Sequence, residues 1–259
     1  MSKRRTLRIQ KVQSPIVDKS KLTALVSVYN SSKWLSHRLD NLFDTDIYKR
    51  GELFVYAVNC QSPDPDDNRI CEMYAGRPKF HYEVIDKCTV YAAWAYMVNK
   101  TTTPFLTNAN TDDLVSPKYY DEMLHVLNGP DGKNASLAYA DWITIGEGVV
   151  NWRSVKGAGG NASYFNPGAD LMGCSHMPVW RRSLHDRIGN FDGWFQAMGD
   201  LDFWNRAWIN GIRDFAFVNS PLTAYRWRDG QNLWHRVPEA QHTEEWARIR
   251  GRQPGKLEF

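Results

Sequence analysis

The stretch VYAAWAYMVNKTTTPFLTNANTDDLVSP, which runs from Val90 to Pro117, decides the fold of this chain. Its apolar residues predict a helix over Val90–Asn99 and a buried strand over Phe105–Asn108. The strand ends in a polar, acidic cluster, Asn110-Thr111-Asp112-Asp113. A strand that leads into acidic residues is typical of the ligand-binding edge of an α/β sheet.

The same alternation of strand and helix continues on both sides of this stretch. It predicts a single α/β domain, with a mostly parallel, Rossmann-like sheet and helices on both faces. Because ligands bind at the carboxyl ends of parallel strands, we expect the polar loops after Val28, Asn59 and Asn108 to share one binding edge. The further strands are predicted at Leu22–Val28, Glu52–Asn59, Phe80–Ile85 and Leu137–Ala140. The further helices are predicted at Lys33–Phe43 and Pro117–Leu127, and another helix follows the second strand and ends at about Tyr74.

The second half of the chain is less regular. Pro178–Arg187 and the amphipathic Gly199–Asn210 are predicted to be helices, and the last 20 residues predict a terminal helix. Tyr225–His235 is aromatic and basic. The glycine-rich Lys156–Asn161 lacks the context of a dinucleotide site or a P-loop, which favours a mobile lid or an acceptor loop.

Composition excludes several classes of protein. The 259 residues are 42% hydrophobic and 24% charged, which is typical of a soluble globular chain. No apolar run approaches the ~20 residues of a membrane helix, and we find no secretory signal. The four cysteines form no zinc motif and indicate reduced thiols, so we expect a cytoplasmic protein.

Positive charge is concentrated at the N-terminus. Residues 1–21 hold seven Lys/Arg and one Asp, a net charge of +6 in a chain whose total is +3. A basic arm of this kind can bind phosphates or anionic lipid, although a solvated, poorly ordered terminus also explains it.

Two pairs of carboxylates are the strongest candidates for chemistry. Asp112 and Asp113 offer oxygen ligands to Mg²⁺ or Mn²⁺, although either can instead cap the following helix. Asp200 and Asp202 open a predicted helix, where a carboxylate is either stabilised by the helix N-terminus or acts as a general base.

Three further candidates also have structural explanations. His235 can ligate a metal or simply lie at the surface or in the core. Trp204 can stack on a sugar ring or pack in the core. Arg181 can bind a diphosphate or pair with acidic neighbours.

The order and spacing of these segments resemble the family 2 glycosyltransferases, which have the GT-A fold. The resemblance covers Leu22 to Tyr225. VSVYNSSKWL (residues 26–35) is similar to the family's first strand, turn and helix. The stretch from Val90 to Pro117 is similar to the family's helix, strand and Asp-x-Asp-type motif. MPVWRRSLHDRIGNFD (residues 177–192) and GDLDFW (residues 199–204) resemble the acceptor-side segment and the catalytic acidic motif.

The resemblance implies roles for particular residues. Asp200 would be the catalytic base. The metal, Mn²⁺ or Mg²⁺, would be held by Asp112, with Asp113 as its neighbour or alternative and His235 as a further candidate. Asn110 stands at the first acidic position of the motif, and Asn59 stands where the family often has an Asp that reads the nucleotide base. The nucleotide sugar would contact Tyr29, Asn59, Asn110 and Asp112, and the acceptor would contact Trp180, Arg181 and Trp204.

The resemblance also implies a domain organisation. Residues 1–21 would form a basic arm, and residues 22–225 the GT-A domain. Within that domain, residues 22–140 would bind the nucleotide sugar and residues 141–225 the acceptor. Residues 226–259 would form an aromatic and basic C-terminal extension.

The function implied is a metal-dependent inverting glycosyltransferase that moves a sugar from a nucleotide-diphosphate sugar to an acceptor hydroxyl. The acceptor favoured is a bacterial glycan or lipid-linked saccharide. A phage-type enzyme acting on hydroxymethylated bases in DNA is the alternative, because of the basic arm and the basic segment Tyr225–Arg236. A non-catalytic sugar- or nucleotide-binding relative is a further alternative, because Asn59 and Asn110 replace acids. The sequence does not indicate the oligomeric state.

Overall fold

The structure is a computed structural model that describes residues 15–129, 135–157, 174, 176–228, 230 and 232–257. Most of the basic arm, residues 1–14, lies outside the described residues. Residues 158–161 of the predicted lid or acceptor loop lie outside them as well.

The strands and helices follow the predicted order through the first half of the chain. The strands are β1 (Leu22–Val28), β2 (Leu53–Asn59), β3 (Phe80–Val84), β4 (Phe105–Asn108), β5 (Leu114–Val115), β6 (Leu137–Ile145), β7 (Val179–Arg181) and β8 (Phe215–Arg226). The helices are α1 (Ser32–Phe43), α2 (Asp46–Lys49), α3 (Pro65–Tyr74), α4 (Val90–Lys100), α5 (Tyr119–Asn128), α6 (Ser183–Ile188), α7 (Gly199–Ile209), α8 (Leu233–Arg236) and α9 (Glu239–Arg250).

All eight strands belong to one mixed, mostly parallel sheet, in the order β3-β2-β1-β4-β7-β6-β8-β5. Strand β1 is parallel to β2 and β4, and β2 is parallel to β3. Strand β7 runs antiparallel to both β4 and β6. Strand β8 is parallel to β6 and antiparallel to β5. The predicted α/β class is therefore confirmed.

Strand β7 corrects the prediction of a helix over Pro178–Arg187. Val179–Arg181 is extended, and a helix begins only at Ser183. Trp180 pairs with Leu106 on one side and with Leu137 on the other, and it is fully buried. This burial between two strands favours the extended conformation of so short a segment over its local helical pattern.

Helices cover both faces of the sheet, as predicted. Along β1, alternate residues pack to opposite sides: Ala24 and Val26 belong to the core beneath α1 and α5, and Leu25 to the core beneath α4 and α7. The second core is rich in aromatic residues such as Phe191 and Phe203, which stack with their ring centroids 4.4 Å apart.

The parallel strands end at a common edge. The N–H of Cys60, just beyond β2, donates to the carbonyl of Val28 (3.2 Å). The N–H of Ala109, just beyond β4, donates to the carbonyl of Leu25 (2.9 Å). The loops after β1, β2 and β4 therefore meet at one edge of the sheet.

Candidate active site

A cleft of about 610 Å³ opens at this edge. The loops after β1 and β4, the start of α7 and the segment after β8 contribute to its walls. Its lining includes Tyr29, Asn110, Asp112, His176, Asp200 and Arg228.

Asp113 anchors the acidic loop to the sheet. Its side chain is only 1% exposed. One carboxylate oxygen accepts a hydrogen bond from the N–H of Arg226 (2.9 Å), and the other accepts one from Nδ2 of Asn110 (3.0 Å). Burial raises the pKa of the Asp113 carboxyl. Asp113 thus satisfies backbone and side-chain donors inside the protein.

Asp112 points its carboxylate toward the cleft. Its side chain is 20% exposed, and one oxygen accepts a charge-assisted hydrogen bond from the guanidinium of Arg228. Burial, and then the neighbouring charge of Asp113, raises the pKa of Asp112 to about 6. The Arg228 guanidinium opposes this rise.

His176 lies beside the two aspartates. Its Nε2 is buried, has no hydrogen-bond partner among the residues described, and lies 3.9 Å from Oδ2 of Asp113. The ring packs edge-on against Trp142 and Tyr225, at centroid distances of 5.8 and 5.2 Å. Burial lowers the pKa of His176 to about 3, so the imidazole is neutral and Nε2 offers a lone pair if the proton is on Nδ1.

Asp200 lies at the start of α7, on the cleft. Its Oδ1 accepts hydrogen bonds from the N–H of Leu201 (2.9 Å) and from the hydroxyl of Tyr91 (3.3 Å). Burial raises the pKa of the Asp200 carboxyl. The fold therefore brings two carboxylates from opposite halves of the chain, Asp112 and Asp200, into one cleft.

Asp202, the alternative base, is fully buried. Its oxygens accept from Nε of Arg206 (2.9 Å) and from Nε of Arg252 (2.7 Å). This carboxylate stabilises the packing of α7 against the C-terminal segment and does not line the cleft.

Several predicted site residues are not brought to the cleft. Asn59 is buried, and its carboxamide donates to Oδ1 of Asn68 and accepts from the N–H of Ser62, both at 2.7 Å. His235 is exposed and packs edge-on against Trp227. It is not among the residues that line the cleft, although its neighbours Leu233 and Arg236 are, so its role as a metal ligand stays a prediction.

Two of the three predicted acceptor-side residues belong to the interior, and the third, Arg181, is half-buried. Trp180 and Trp204 are 0% and 4% exposed, and their rings pack edge-on at 5.4 Å within the second core. The Arg181 guanidinium donates to the carbonyls of Ala135 (2.9 Å) and Leu127 (2.6 Å). None of the three is among the residues that line the cleft, so their acceptor-side role stays a prediction that this conformation does not support.

Sequence reasoning missed two functional candidates, His176 and Arg228. Both lie far from Asp112 and Asp113 in the chain, and no motif spacing links them. Only the return of β8 beside β5 and β6 brings Arg228 to the acidic loop. The position of Arg228 in the predicted basic segment was the only feature of the sequence that pointed to its role.

A metal site is only partly formed by protein atoms. Among the residues that the structure describes, no group of three or more His, Cys, Asp or Glu side chains is placed to hold a metal ion. The donor set of a carboxylate and an unpartnered imidazole nitrogen nonetheless suits a divalent cation that takes its remaining ligands from substrate phosphates.

Comparison with solved structures shows the fold. The chain aligns with Staphylococcus aureus TarS 1–349 in complex with UDP-GlcNAc at a TM-score of 0.67 and 17% identity, covering 89% of this chain and 65% of that one. It aligns with the mannosyltransferase PcManGT from Pyrobaculum calidifontis, in complex with GDP-Man and Mn²⁺, at a TM-score of 0.63 and 14% identity, covering 94% and 67%. It also aligns with Mycobacterium tuberculosis glucosyl-3-phosphoglycerate synthase in complex with phosphoglyceric acid, at a TM-score of 0.55 and 14% identity. That alignment covers 81% of this chain and 73% of the synthase.

These neighbours are GT-A-type glycosyltransferases, and the chain has their fold. The chain spans slightly less than two thirds of the TarS fragment. No family profile and no curated protein matches the sequence. In the described part of the chain, no helix has the length and apolar character needed to cross a bilayer.

Proposed function

We propose that this protein is a metal-dependent, inverting glycosyltransferase that uses a nucleotide-diphosphate sugar. The observation that carries the proposal is that Asp112 and Asp200 line the same cleft, at the carboxyl edge of a GT-A sheet. Two of the neighbours support it, because their complexes contain the nucleotide sugars UDP-GlcNAc and GDP-Man.

The donor diphosphate would bind beside Asp112. Arg228 and Arg236 line this part of the cleft, and guanidinium groups match the geometry of phosphate oxygens. Arg228 would bridge the diphosphate and Asp112, with which it already forms an ion pair. Tyr29, which is 37% exposed, and Asn110 offer a ring face and an amide to the nucleoside.

A divalent cation fits Asp112 and His176. The support is the buried Nε2 of His176 beside the acidic loop, which has no hydrogen-bond partner in the part of the chain that the structure describes. Asp113 is the weaker choice of ligand, since both its oxygens already accept hydrogen bonds from the protein. When bound, Mn²⁺ or Mg²⁺ would neutralise the charge of the diphosphate leaving group.

Asp200 would remove the proton from the acceptor hydroxyl. The hydrogen bonds from Tyr91 and from the N–H of Leu201 fix the orientation of the carboxylate and leave the second oxygen, Oδ2, to face the acceptor. Attack on the anomeric carbon from the side opposite the diphosphate inverts its configuration. Most of the rate enhancement would come from positioning and charge stabilisation.

For the acceptor, we propose a saccharide hydroxyl rather than DNA. The DNA alternative depended partly on the basic segment Tyr225–Arg236. Two of its arginines turn inward: Arg226 is 1% exposed, and Arg228 is paired with Asp112. These two guanidinium groups therefore face the interior and the cleft, which leaves the outer surface of this segment less basic than its sequence indicates. A screen of nucleotide-sugar donors with saccharide and hydroxymethylated-DNA acceptors separates the two.

The metal-binding part of the proposal is tested with Asp112→Ala. We expect nucleoside diphosphate release in Mn²⁺ to fall by about 10²-fold or more, because the substitution removes the carboxylate ligand. Asp44→Ala is the matched control, since Asp44 is half-exposed and pairs with Lys49 outside the cleft. Full activity in excess chelator would contradict the proposal. A wild-type protein that binds donors but turns none over would point to the non-catalytic alternative.

A further inference from the structure

A buried carboxylate on the C-terminal helix binds the backbone that precedes Asp200. Glu245 of α9 is fully buried. Its Oε1 accepts from the N–H of Gln196 (2.7 Å), and its Oε2 accepts from the N–H groups of Ala197 (3.1 Å) and Met198 (2.8 Å). Three successive backbone donors thus converge on one side chain.

This arrangement supplies acceptors for the backbone donors of the segment that leads into α7. Backbone N–H groups at a helix start have no carbonyl four residues earlier to bind, and the helix dipole favours a negative charge there. Glu245 therefore fixes the path of the chain from Gln196 into α7.

The segment that Glu245 holds is also a wall of the cleft. Gln196 and Ala197 line it together with Asp200. The Tyr91 hydroxyl donates to the carbonyl of Ala197 (2.7 Å) and to Oδ1 of Asp200 (3.3 Å), so it links the held segment to the carboxylate. A shift of this segment would move Asp200 relative to the substrate.

Ion pairs hold α9 and the residues just after it against α7 and the segment before it. Arg252 bridges Asp192 and Asp202, with both distances at 2.7 Å. Arg248 pairs with Asp192 at 2.8 Å. These ion pairs help to hold Glu245 in its place beside the Gln196–Met198 segment.

We propose that Glu245 is a positioning residue that holds the Gln196–Met198 segment so that Asp200 faces the acceptor. The proposal rests on the proposed function of Asp200 as the base. The charged and titratable groups that act on Asp200 are Tyr91 of α4, Glu245 of α9 and the Cys174 thiol. The charge of Glu245 adds to the effect of burial in raising the pKa of Asp200.

Two substitutions separate position from charge. Glu245→Gln removes the charge. Glu245→Asp keeps the charge but withdraws the carboxylate by one methylene. We expect both to lower kcat by about tenfold or more, because a small misplacement of a catalytic group is costly. We expect the acidic limb of the kcat profile to move to lower pH in Glu245→Gln only, since only that variant removes a negative charge near Asp200.

Glu244→Gln is the matched control, because Glu244 is the exposed neighbour of Glu245 on the same helix and does not line the cleft. It should leave kcat and the pH profile unchanged, and donor affinity measured by calorimetry should stay within about twofold in all three variants. Wild-type kcat in a folded Glu245→Gln or Glu245→Asp protein would overturn the proposal. If Glu245→Gln fails to fold, Glu245→Asp carries the test of position. If Asp200→Asn itself keeps full turnover, the proposed function fails first, which distinguishes the two failures.

Discussion

Gly199, which begins α7, lies directly against the ring of Tyr91. A Cβ atom at this position would overlap the ring. We expect Gly199→Ala to lower the free energy of unfolding by about 1–3 kcal/mol, because the ring or the helix must shift to make room. Chemical denaturation measures the change.

The matched control is Gly76→Ala. A Cβ atom at Gly76 would have no neighbouring atom within 4 Å, so this variant should stay within about 0.5 kcal/mol of the wild type or be slightly more stable. Equal stability of the two variants would show that the helix start accommodates a side chain. Loss of turnover in Gly199→Ala alone would indicate that Tyr91 must keep its place to orient Asp200.

Single residues define the limit of what the sequence can predict about the site. Asp112 and Asp113 are chemically identical neighbours, and only the fold leaves the Asp112 side chain 20% exposed while it buries Asp113 against the N–H of Arg226. Asn59 looked like a base-reading residue, yet its amide is used by Ser62 and Asn68. Which partner satisfies a polar group depends on contacts between distant segments, and local patterns do not contain them.

At the scale of elements, α6 carries a buried titratable group. His185 accepts a hydrogen bond from Nε1 of Trp180 (3.0 Å), and burial lowers the pKa of His185 to about 3. The folded state keeps this imidazole neutral while the unfolded chain takes up a proton below its ordinary pKa of about 6.5. Its contribution to stability is therefore present above pH 6.5 and is lost as the pH falls toward 3.

The prediction for His185 compares how steeply the free energy of unfolding falls with pH in the wild type and in His185→Gln. Between pH 7 and 5.5, the wild type should lose about 1 kcal/mol more unfolding free energy than His185→Gln, which has no titrating imidazole at this position. The comparison cancels the raised pKa values of Asp112, Asp113 and Asp200, which are common to both proteins. Denaturant titrations at the two pH values measure the free energy of unfolding of each protein. Equal losses in the two proteins would contradict the claim that His185 is neutral when the chain is folded.

Elements with a regular pattern were predicted well. Strands β1 and β4 begin and end at the predicted residues, and α7 differs only at its end. Strand β7 was missed because three residues are too few to establish an alternating pattern, and a helix begins two residues after it. Its extended form depends on pairing with β4 and β6, which are distant in sequence.

At the scale of the whole molecule, the C-terminal residues belong to the same packed unit as the sheet. Glu245 and Ile249 of the predicted extension are fully buried, and the N–H of Leu257 donates to the carbonyl of Ile188 (3.2 Å). The GT-A fold was predictable because strands and helices alternate in the same order as in that fold, even though the aligned structures are only 14–17% identical in sequence. The support that α9 gives to the start of α7 was not predictable, since a buried Glu in a polar helix has no distinctive pattern.

The turnover of Asp200→Asn, measured beside its donor affinity, tests the central claim most directly. The substitution preserves the shape of the side chain and removes its basicity. We predict that nucleoside diphosphate release falls by about 10²-fold or more, while the donor dissociation constant from calorimetry stays nearly unchanged. Near-normal turnover in the variant, or no turnover by the wild type with any donor of a nucleotide-sugar panel in Mn²⁺, would contradict it.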